Sequence, residues 1–281
     1  MGMGPEPPQE ELLVEDVALA LAEDLGTGDC TASLIAPEAV LETRVICREN
    51  AVLCGQPWFD ETFRQLDEGI AVQWQLSDGE EIQAGNEVCS LKGPARAILS
   101  GERTALNFLQ ALSGTATKTR EYVDAVKGTG AVILDTRKTL PGLRRAQKYA
   151  VLCGGGQNHR IGLYDAILIK ENHIAAAGSI TAAVTRAMRD YPELLLEVEV
   201  ENLEQLQEAV IAGASRVLLD NFSLNVLETA VERYKGRIGL EASGGISLQT
   251  VRAVAATGVD FISTGDITKS IRAIDFSMRF I

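Results

Sequence analysis

Residues 194–220 read LLLEVEVENLEQLQEAVIAGASRVLLD. The stretch opens on a short apolar run, 194–200, and closes on a second, 216–220, each of strand length and rich in Leu and Val. Near-continuous apolar runs suit parallel strands covered on both faces. Between them, residues 203–212 carry apolar side chains at spacings near three and four, the period of a helix. Asn202 stands where an N-cap is wanted, and Gln205 follows three residues on, which resembles a capping box. Strand, helix and strand in so short a span form a parallel crossover unit.

The alternation continues in both directions. Further apolar runs lie at 131–135 (AVILD), 165–170 (DAILIK), 238–242 (IGLEA) and 259–263 (VDFIS). Helical patterns fill 143–153, 180–190, 224–234 and 248–256, with Ser223 and Ser247 at the N-cap positions of the last two. Six such units predict a parallel α/β barrel short of the usual eight. In barrels the chemistry sits at the C-terminal ends of the strands. Here those ends carry Asp135, Arg137 and Lys138; Lys170, Glu171 and Asn172; Glu199 and Glu201; Asp220 and Asn221; Ser243, Gly244 and Gly245; and Thr264, Gly265 and Asp266. Polar residues at every end exceed what loop closure requires.

Residues 10–128 read differently. An amphipathic helix over 11–24 ends at Gly26. Short alternating segments follow at 41–54, 70–76 and 87–91, punctuated by turns at Asp78-Gly79 and Ala84-Gly85-Asn86. Residues 94–112 and 117–126 read as two helices, with a domain boundary near 113–117. The expected organisation is therefore a disordered Gly/Pro-rich stretch over 1–8, an α/β domain over 9–115 and a barrel over 116–270. An apolar tail, 271–281, is expected to dock on the N-terminal domain.

Bulk properties narrow the class. With 46% hydrophobic and 23% charged residues and no run of membrane-spanning length, the chain suits a soluble globular protein. Its first residues lack a basic region followed by an apolar one, so no secretory signal is expected, and the cytoplasm is the expected location. Five scattered cysteines without a C-x-x-C pair argue against a disulfide framework or a structural zinc site. A net charge of −13 disfavours nucleic acid as a partner. It leaves small anions open, because a local basic pocket dominates at contact distance.

Such a pocket is visible in DTRKTLPGLRR, residues 135–145. Arg137 and Lys138 stand at a strand end, and Arg144 and Arg145 open the next helix, where exposed N–H groups add partial positive charge. On its own the cluster also fits a solvated basic face. His159 and Arg160 follow a Gly-rich segment that is not a dinucleotide fingerprint. Lys170 reads as an anion clamp, a Schiff-base nucleophile or a member of an ion pair. Glu199 and Asp220 close neighbouring strands and suit Mg²⁺ held jointly with a phosphorylated ligand, or ribose hydroxyls. The Ser243-Gly244-Gly245 and Thr264-Gly265-Asp266 loops each precede a helix, which suits backbone amides closing on phosphate.

DTRKTLPGLRR, GQNHR (156–160), IKENH (169–173), EVEVEN (197–202), LLDNF (218–222), EASGGI (241–246) and STGDIT (263–268) together resemble the quinolinate phosphoribosyltransferases. GERTALN (101–107) and AIDFSMRF (273–280) extend the resemblance over nearly the whole chain. It implies an N-terminal α/β sandwich, an incomplete C-terminal α/β barrel, and conversion of quinolinate and phosphoribosyl pyrophosphate to nicotinate mononucleotide. It further implies a homodimer in which the partner's N-terminal domain covers each barrel mouth and supplies the residue matching Arg103. Matched position by position, Arg103, Thr136, Arg137, Lys138, His159, Arg160 and Lys170 would hold quinolinate, with Lys138 also near the pyrophosphate. Lys138, Lys170, Glu199 and Asp220 would be catalytic, and Glu199 and Asp220 would meet the ribose and Mg²⁺. Ser243, Gly244, Gly245, Thr264, Gly265 and Asp266 would cradle the 5′-phosphate with Lys269, where some members carry His. The competing readings are an aldolase-like barrel using Lys170 as a Schiff base, a paralogue acting on another aromatic acid, and a non-catalytic sensor of phosphoribosyl pyrophosphate.

Overall fold

A computed structural model describes residues 9–281; the stretch 1–8, expected to be disordered, lies outside them. The first part of the chain forms α1 (Glu10–Leu25), β1 (Val40–Cys47), β2 (Ala51–Val52), α2 (Gln56–Leu66), β3 (Ala71–Trp74), β4 (Glu81–Ile82), β5 (Glu87–Pro94) and α3 (Ala95–Ala125). Then follow β6 (Val132–Leu134), α4 (Arg144–Cys153), β7 (Ala166–Ile169), α5 (Glu171–Ala177), α6 (Ile180–Asp190), β8 (Leu195–Val200), α7 (Leu203–Ala212) and β9 (Arg216–Asp220). The chain finishes with α8 (Leu224–Tyr234), β10 (Gly239–Ser243), α9 (Val251–Ala256), β11 (Phe261–Ser263), α10 (Asp266–Lys269) and β12 (Phe276–Phe280). Two compact units result. One comprises the chain up to Arg120 with Leu140–Gly155 and Ser270–Ile281, the other Glu121–Thr139 with Gly156–Lys269.

The first unit is an antiparallel sheet, ordered β12-β1-β5-β3, packed against helices. Val45, Leu91 and Phe276 from the sheet meet Phe59, Phe63, Ile98 and Leu109 from α2 and α3 in one core. β12 pairs antiparallel with β1, Val45 opposite Met278. A second core joins Val17 and Leu21 of α1 to Trp58, Leu112, Tyr149 and Cys153. The helix α2 was not anticipated; it forms because Pro57 sits in the first turn and Trp58, Phe59, Thr62 and Phe63 fall on one buried face.

The two helices expected around 113–117 are one, α3, and the boundary placed there falls inside it. The Ser, Gly and Thr residues at that point serve packing within the helix. Thr115 and Thr119 donate to carbonyls four residues back. Ser113 Oγ accepts from Cys54 N–H at 3.0 Å. Gly114 lies against the Arg272 carbonyl, where a Cβ would collide. Likewise Leu140–Gly155, expected within the barrel, belongs to the first unit, because α4 buries Ala146, Tyr149, Ala150 and Cys153 in that core.

The second unit is a parallel six-stranded sheet, ordered β6-β11-β10-β9-β8-β7. This is barrel order, with the cylinder open between its first strand, β6, and its second, β7. An isolated parallel bridge, Leu134 to Gln157, lies beside β6 on that open side. Val198, Val200, Val217, Leu219, Leu240 and Ile262 are fully buried. Asn202 caps α7 as expected, accepting from Gln205 N–H at 2.9 Å. Ser223 makes no side-chain cap, and α9 begins after Thr250, not Ser247. Among the described residues no helix is long and apolar enough to cross a membrane.

Candidate active site

In a parallel sheet every strand releases its chain at the same rim, and here that rim encloses a cavity of about 520 Å³. β6 delivers Thr136, Arg137 and Lys138 to it. Thr136 Oγ1 accepts the Lys138 N–H at 3.0 Å, which sets the turn. His159 and Arg160 follow the strip that pairs beside β6; Lys170 follows β7; Glu199 lies on β8; Asp220 ends β9; and Ser243, Gly244 and Gly245 close β10. Arg137, Lys138, Arg160 and Lys170, the acids Glu199 and Asp220, and one of the two glycine loops thus share a single cavity, while Arg103, Lys269 and Asp266 do not line it.

Charge is organised before any ligand is considered. Burial, then the neighbouring Arg137, lowers the pKa of the Arg160 guanidinium. Two cations held close in a half-buried wall repel one another, and an anion between them relieves the repulsion. Opposite them, Lys170 Nζ pairs with Glu199 Oε2 at 2.5 Å. Asp220 Oδ2 accepts from Asn221 Nδ2 at 2.8 Å. Asn221 has a left-handed backbone, φ 55°, a conformation Asn tolerates, and its N–H donates to the Ser243 carbonyl at 3.0 Å. Gly244, φ 100°, lies against it: a Cβ would come within 2.8 Å of Asn221 N and closer still to the side-chain amide.

Several expected residues are placed differently. His159 lines the cavity, yet both ring nitrogens are engaged by the protein. Nδ1 accepts the Arg160 N–H at 2.8 Å, and Nε2 lies 2.8 Å from Glu197 Oε2. A direct grip on a substrate carboxylate is therefore not its present task. Of the second glycine loop, Thr264 is buried and donates to the Ile246 carbonyl at 3.1 Å, and Asp266 accepts from Tyr122 Oη at 2.8 Å. Gly265 leaves room for the Lys138 side chain, and Thr268 Oγ1 donates to the Lys138 carbonyl at 2.7 Å. This loop braces Lys138 from behind. Lys269 is exposed. Arg103 lies exposed on α3 in the first unit.

Sequence reading placed Asn221 at a strand end without a role, and it passed over Ser263 and above all Glu241, which lines the cavity from a fully buried position. Burial, and then neighbouring Glu197, pushes the Glu241 pKa up to about 7. Glu197 is raised as well, by burial working against Arg216. The period-two acids of EVEVE were the available signal for an inward-facing charged layer.

Comparisons with known proteins agree over the whole chain. The model of the quinolinate phosphoribosyl transferase C-terminal domain matches residues 115–279, and that of the N-terminal domain matches 29–113. A probable nicotinate-nucleotide pyrophosphorylase (carboxylating) of Bacillus subtilis is 44% identical over 257 residues, covering 91% of this chain and 89% of its own. The nicotinate-nucleotide pyrophosphorylase (carboxylating) of Mycobacterium leprae is 42% identical over 274 residues, 94% and 95% of the two chains. The solved structure of the Francisella tularensis nicotinate-nucleotide pyrophosphorylase superposes with a TM-score of 0.95 at 46% identity, covering all of both chains. With both domain models matched end to end, the chain belongs to the quinolinate phosphoribosyl transferase family.

Proposed function

We propose that this chain transfers the phosphoribosyl group of phosphoribosyl pyrophosphate to quinolinate, with decarboxylation, giving nicotinate mononucleotide, pyrophosphate and CO2. The carrying observation is one cavity whose cationic wall, Arg137, Lys138 and Arg160, faces the acids Glu199 and Asp220 beside the Ser243–Gly245 loop. The cations suit two carboxylates, the acids suit a sugar that becomes cationic, and the glycines let backbone amides approach a phosphate. The pyridine nitrogen attacks ribose C1 as the C1–oxygen bond to pyrophosphate breaks with its electron pair. Glu199 and Asp220 stabilise positive charge developing at C1. The nitrogen, now cationic, stabilises the electron pair left on C2 as the 2-carboxylate departs as CO2, and C2 then takes a proton from water. No general base is required, because the attacking nitrogen carries no proton to lose.

Mg²⁺ fits this site as a companion of the substrate. Among the described residues the groups of three potential ligands are Cys54-Asp78-Cys153 and His159-Glu197-Glu241, and neither contains Glu199 or Asp220. Two carboxylates on adjacent strands, with no third protein ligand, suit a hard cation that brings its remaining oxygens from pyrophosphate and water. Glu199 and Asp220 would hold the ion, and it would supply positive charge to neutralise the leaving pyrophosphate. Buried free thiols at Cys47, Cys54, Cys89 and Cys153 fit a reducing cytoplasm.

The direct test combines the protein with Mg²⁺, quinolinate and phosphoribosyl pyrophosphate and looks for nicotinate mononucleotide; its absence rejects the reading. The aldolase alternative has little support, since Lys170 is ion-paired and partly exposed rather than desolvated, and borohydride trapping on Lys170 should fail. Gly244→Ala should raise the KM for phosphoribosyl pyrophosphate about tenfold or more while sparing quinolinate affinity, because the strained loop must move; steady-state kinetics in each substrate checks this.

The family resemblance extends the proposal to a homodimer in which the partner's Arg103 completes the dicarboxylate receptor. Arg103→Ala and Lys170→Ala homodimers should each be nearly inactive. Mixed under conditions that exchange subunits, they should regain up to about a quarter of parental activity, since half the dimers are mixed and each has one intact site. Demonstrated exchange without recovery would show that Arg103 does not act across subunits.

A further inference from the structure

Beneath the cavity the sheet's inner face carries charge where barrels of this kind usually pack branched aliphatic side chains. Glu197 and Glu241 are 1% and 0% exposed. Arg216, at the start of β9, reaches inward until Nη1 lies 3.4 Å from Glu241 Oε2, with its guanidinium 4.0 Å over the Phe261 ring. Gly239 lies alongside: a Cβ there would touch both Arg216 and Phe261 at 3.4 Å. Apolar residues of similar volume would avoid the desolvation cost of buried carboxylates. The proposed reaction uses neither acid.

The ring above them supplies a role. His159 Nδ1 accepts the Arg160 N–H, so that nitrogen carries no proton and the proton of the neutral ring sits on Nε2. Nε2–H then donates to Glu197 Oε2, with Glu241 Oε1 at 3.6 Å. The backbone N–H of His159 donates to Asp135 Oδ1 at 2.9 Å. The turn from which Arg160 enters the cavity is thus held from β6 through its backbone and from β8 through the imidazole.

We infer that Glu197, supported by Glu241 and Arg216, is the positioning residue of the carboxylate receptor: by accepting from His159 Nε2 it fixes the tautomer and tilt of the ring, and through Nδ1 the backbone from which Arg160 meets the substrate. The inference rests on the reading of the cavity as a quinolinate site. It makes the floor of the barrel a determinant of affinity for the aromatic acid and not for the phosphoribosyl donor.

Nitrogen-15 NMR of the histidine rings tests the first link. The chain has two histidines, and the signals lost in His159→Gln assign the ring. In the parent protein His159 should carry its proton on Nε2, protected from exchange; an Nδ1–H tautomer overturns the inference whatever the variants do. Glu197→Leu removes the acceptor and should raise the quinolinate KM about tenfold or more, with kcat and the KM for phosphoribosyl pyrophosphate within about threefold. Glu197→Gln keeps a carbonyl acceptor and should restore the quinolinate KM to within about threefold of the parent. An unchanged quinolinate KM in folded Glu197→Leu, or a parallel rise in both KM values, overturns the assignment. Glu197→Met serves if the leucine variant does not fold. Should the protein form no nicotinate mononucleotide, the tautomer and the calorimetric quinolinate Kd still decide the positioning role separately from the activity.

Discussion

Glu199→Gln and Asp220→Asn should each lower kcat by on the order of a thousandfold while changing the quinolinate Kd by less than about fivefold. Both substitutions keep shape and hydrogen-bonding capacity. Gln at 199 still offers a carbonyl to Lys170, which now bonds Glu199 at 2.5 Å, and Asn at 220 still offers one to Asn221. What disappears is negative charge beside the carbon that turns cationic. Interactions made only in the transition state appear in kcat and leave ground-state binding nearly intact. The separation is sharpened by geography, since the cations proposed to recognise the acid come from β6, the 156–160 strip and β7, whereas the two carboxylates come from β8 and β9. Single-turnover kinetics at saturating Mg²⁺, with calorimetry for quinolinate, checks both halves. Near-parental turnover in both variants would remove Glu199 and Asp220 from the reaction.

Nicotinate should be used with a kcat/KM lower than that of quinolinate by on the order of ten-thousandfold. Arg137 and Arg160 are already close enough to lower the Arg160 pKa, and a second carboxylate offsets that repulsion. A monocarboxylate brings half the negative charge to that wall after water has been displaced, so less of the mutual repulsion of its cations is offset. Comparable specificity constants, measured by nucleotide formation, would show that the wall does not read the second carboxylate.

The fold of the second unit was legible because most of its strands and helices bury a continuous apolar run or stripe; β9, α6, α7 and α8 have the limits expected from periodicity, whereas α5, which buries no side chain, was not foreseen. The first unit was less legible. α2 hides behind Gly55-Gln56-Pro57, and the hydroxyls of α3 satisfy helix carbonyls rather than breaking the helix. The site shows the same division. Of the cavity's charged residues, Arg137, Lys138, Lys170, Glu199 and Asp220 were expected because a charged residue at the end of an apolar run is visible in one dimension, and Arg160 because it stands beside His159 after a Gly-rich segment. Asp266 satisfies the same rule, but its carboxylate turns to Tyr122, and no local pattern distinguishes the two fates. Glu241 was missed for the opposite reason: within IGLEA it reads as a strand residue, and only the pairing of β9, β10 and β11 places Arg216 and Phe261 beside it.

The pairing of β12 with β1 orders events on the ribosome. Thr43 finds Phe280 as its partner, so the first sheet to be synthesised is the last to be completed. While every strand of the parallel sheet is being made, β1 presents a bare edge to its surroundings, and bare edges recruit other strands. Arg44 on β1 gives that edge an exposed charged side chain during the wait, the usual guard against premature pairing. A chain lacking residues 276–280 should hold a finished parallel sheet and an unfinished antiparallel one, and synthesis of β12 becomes the step that lets the first unit complete its native sheet.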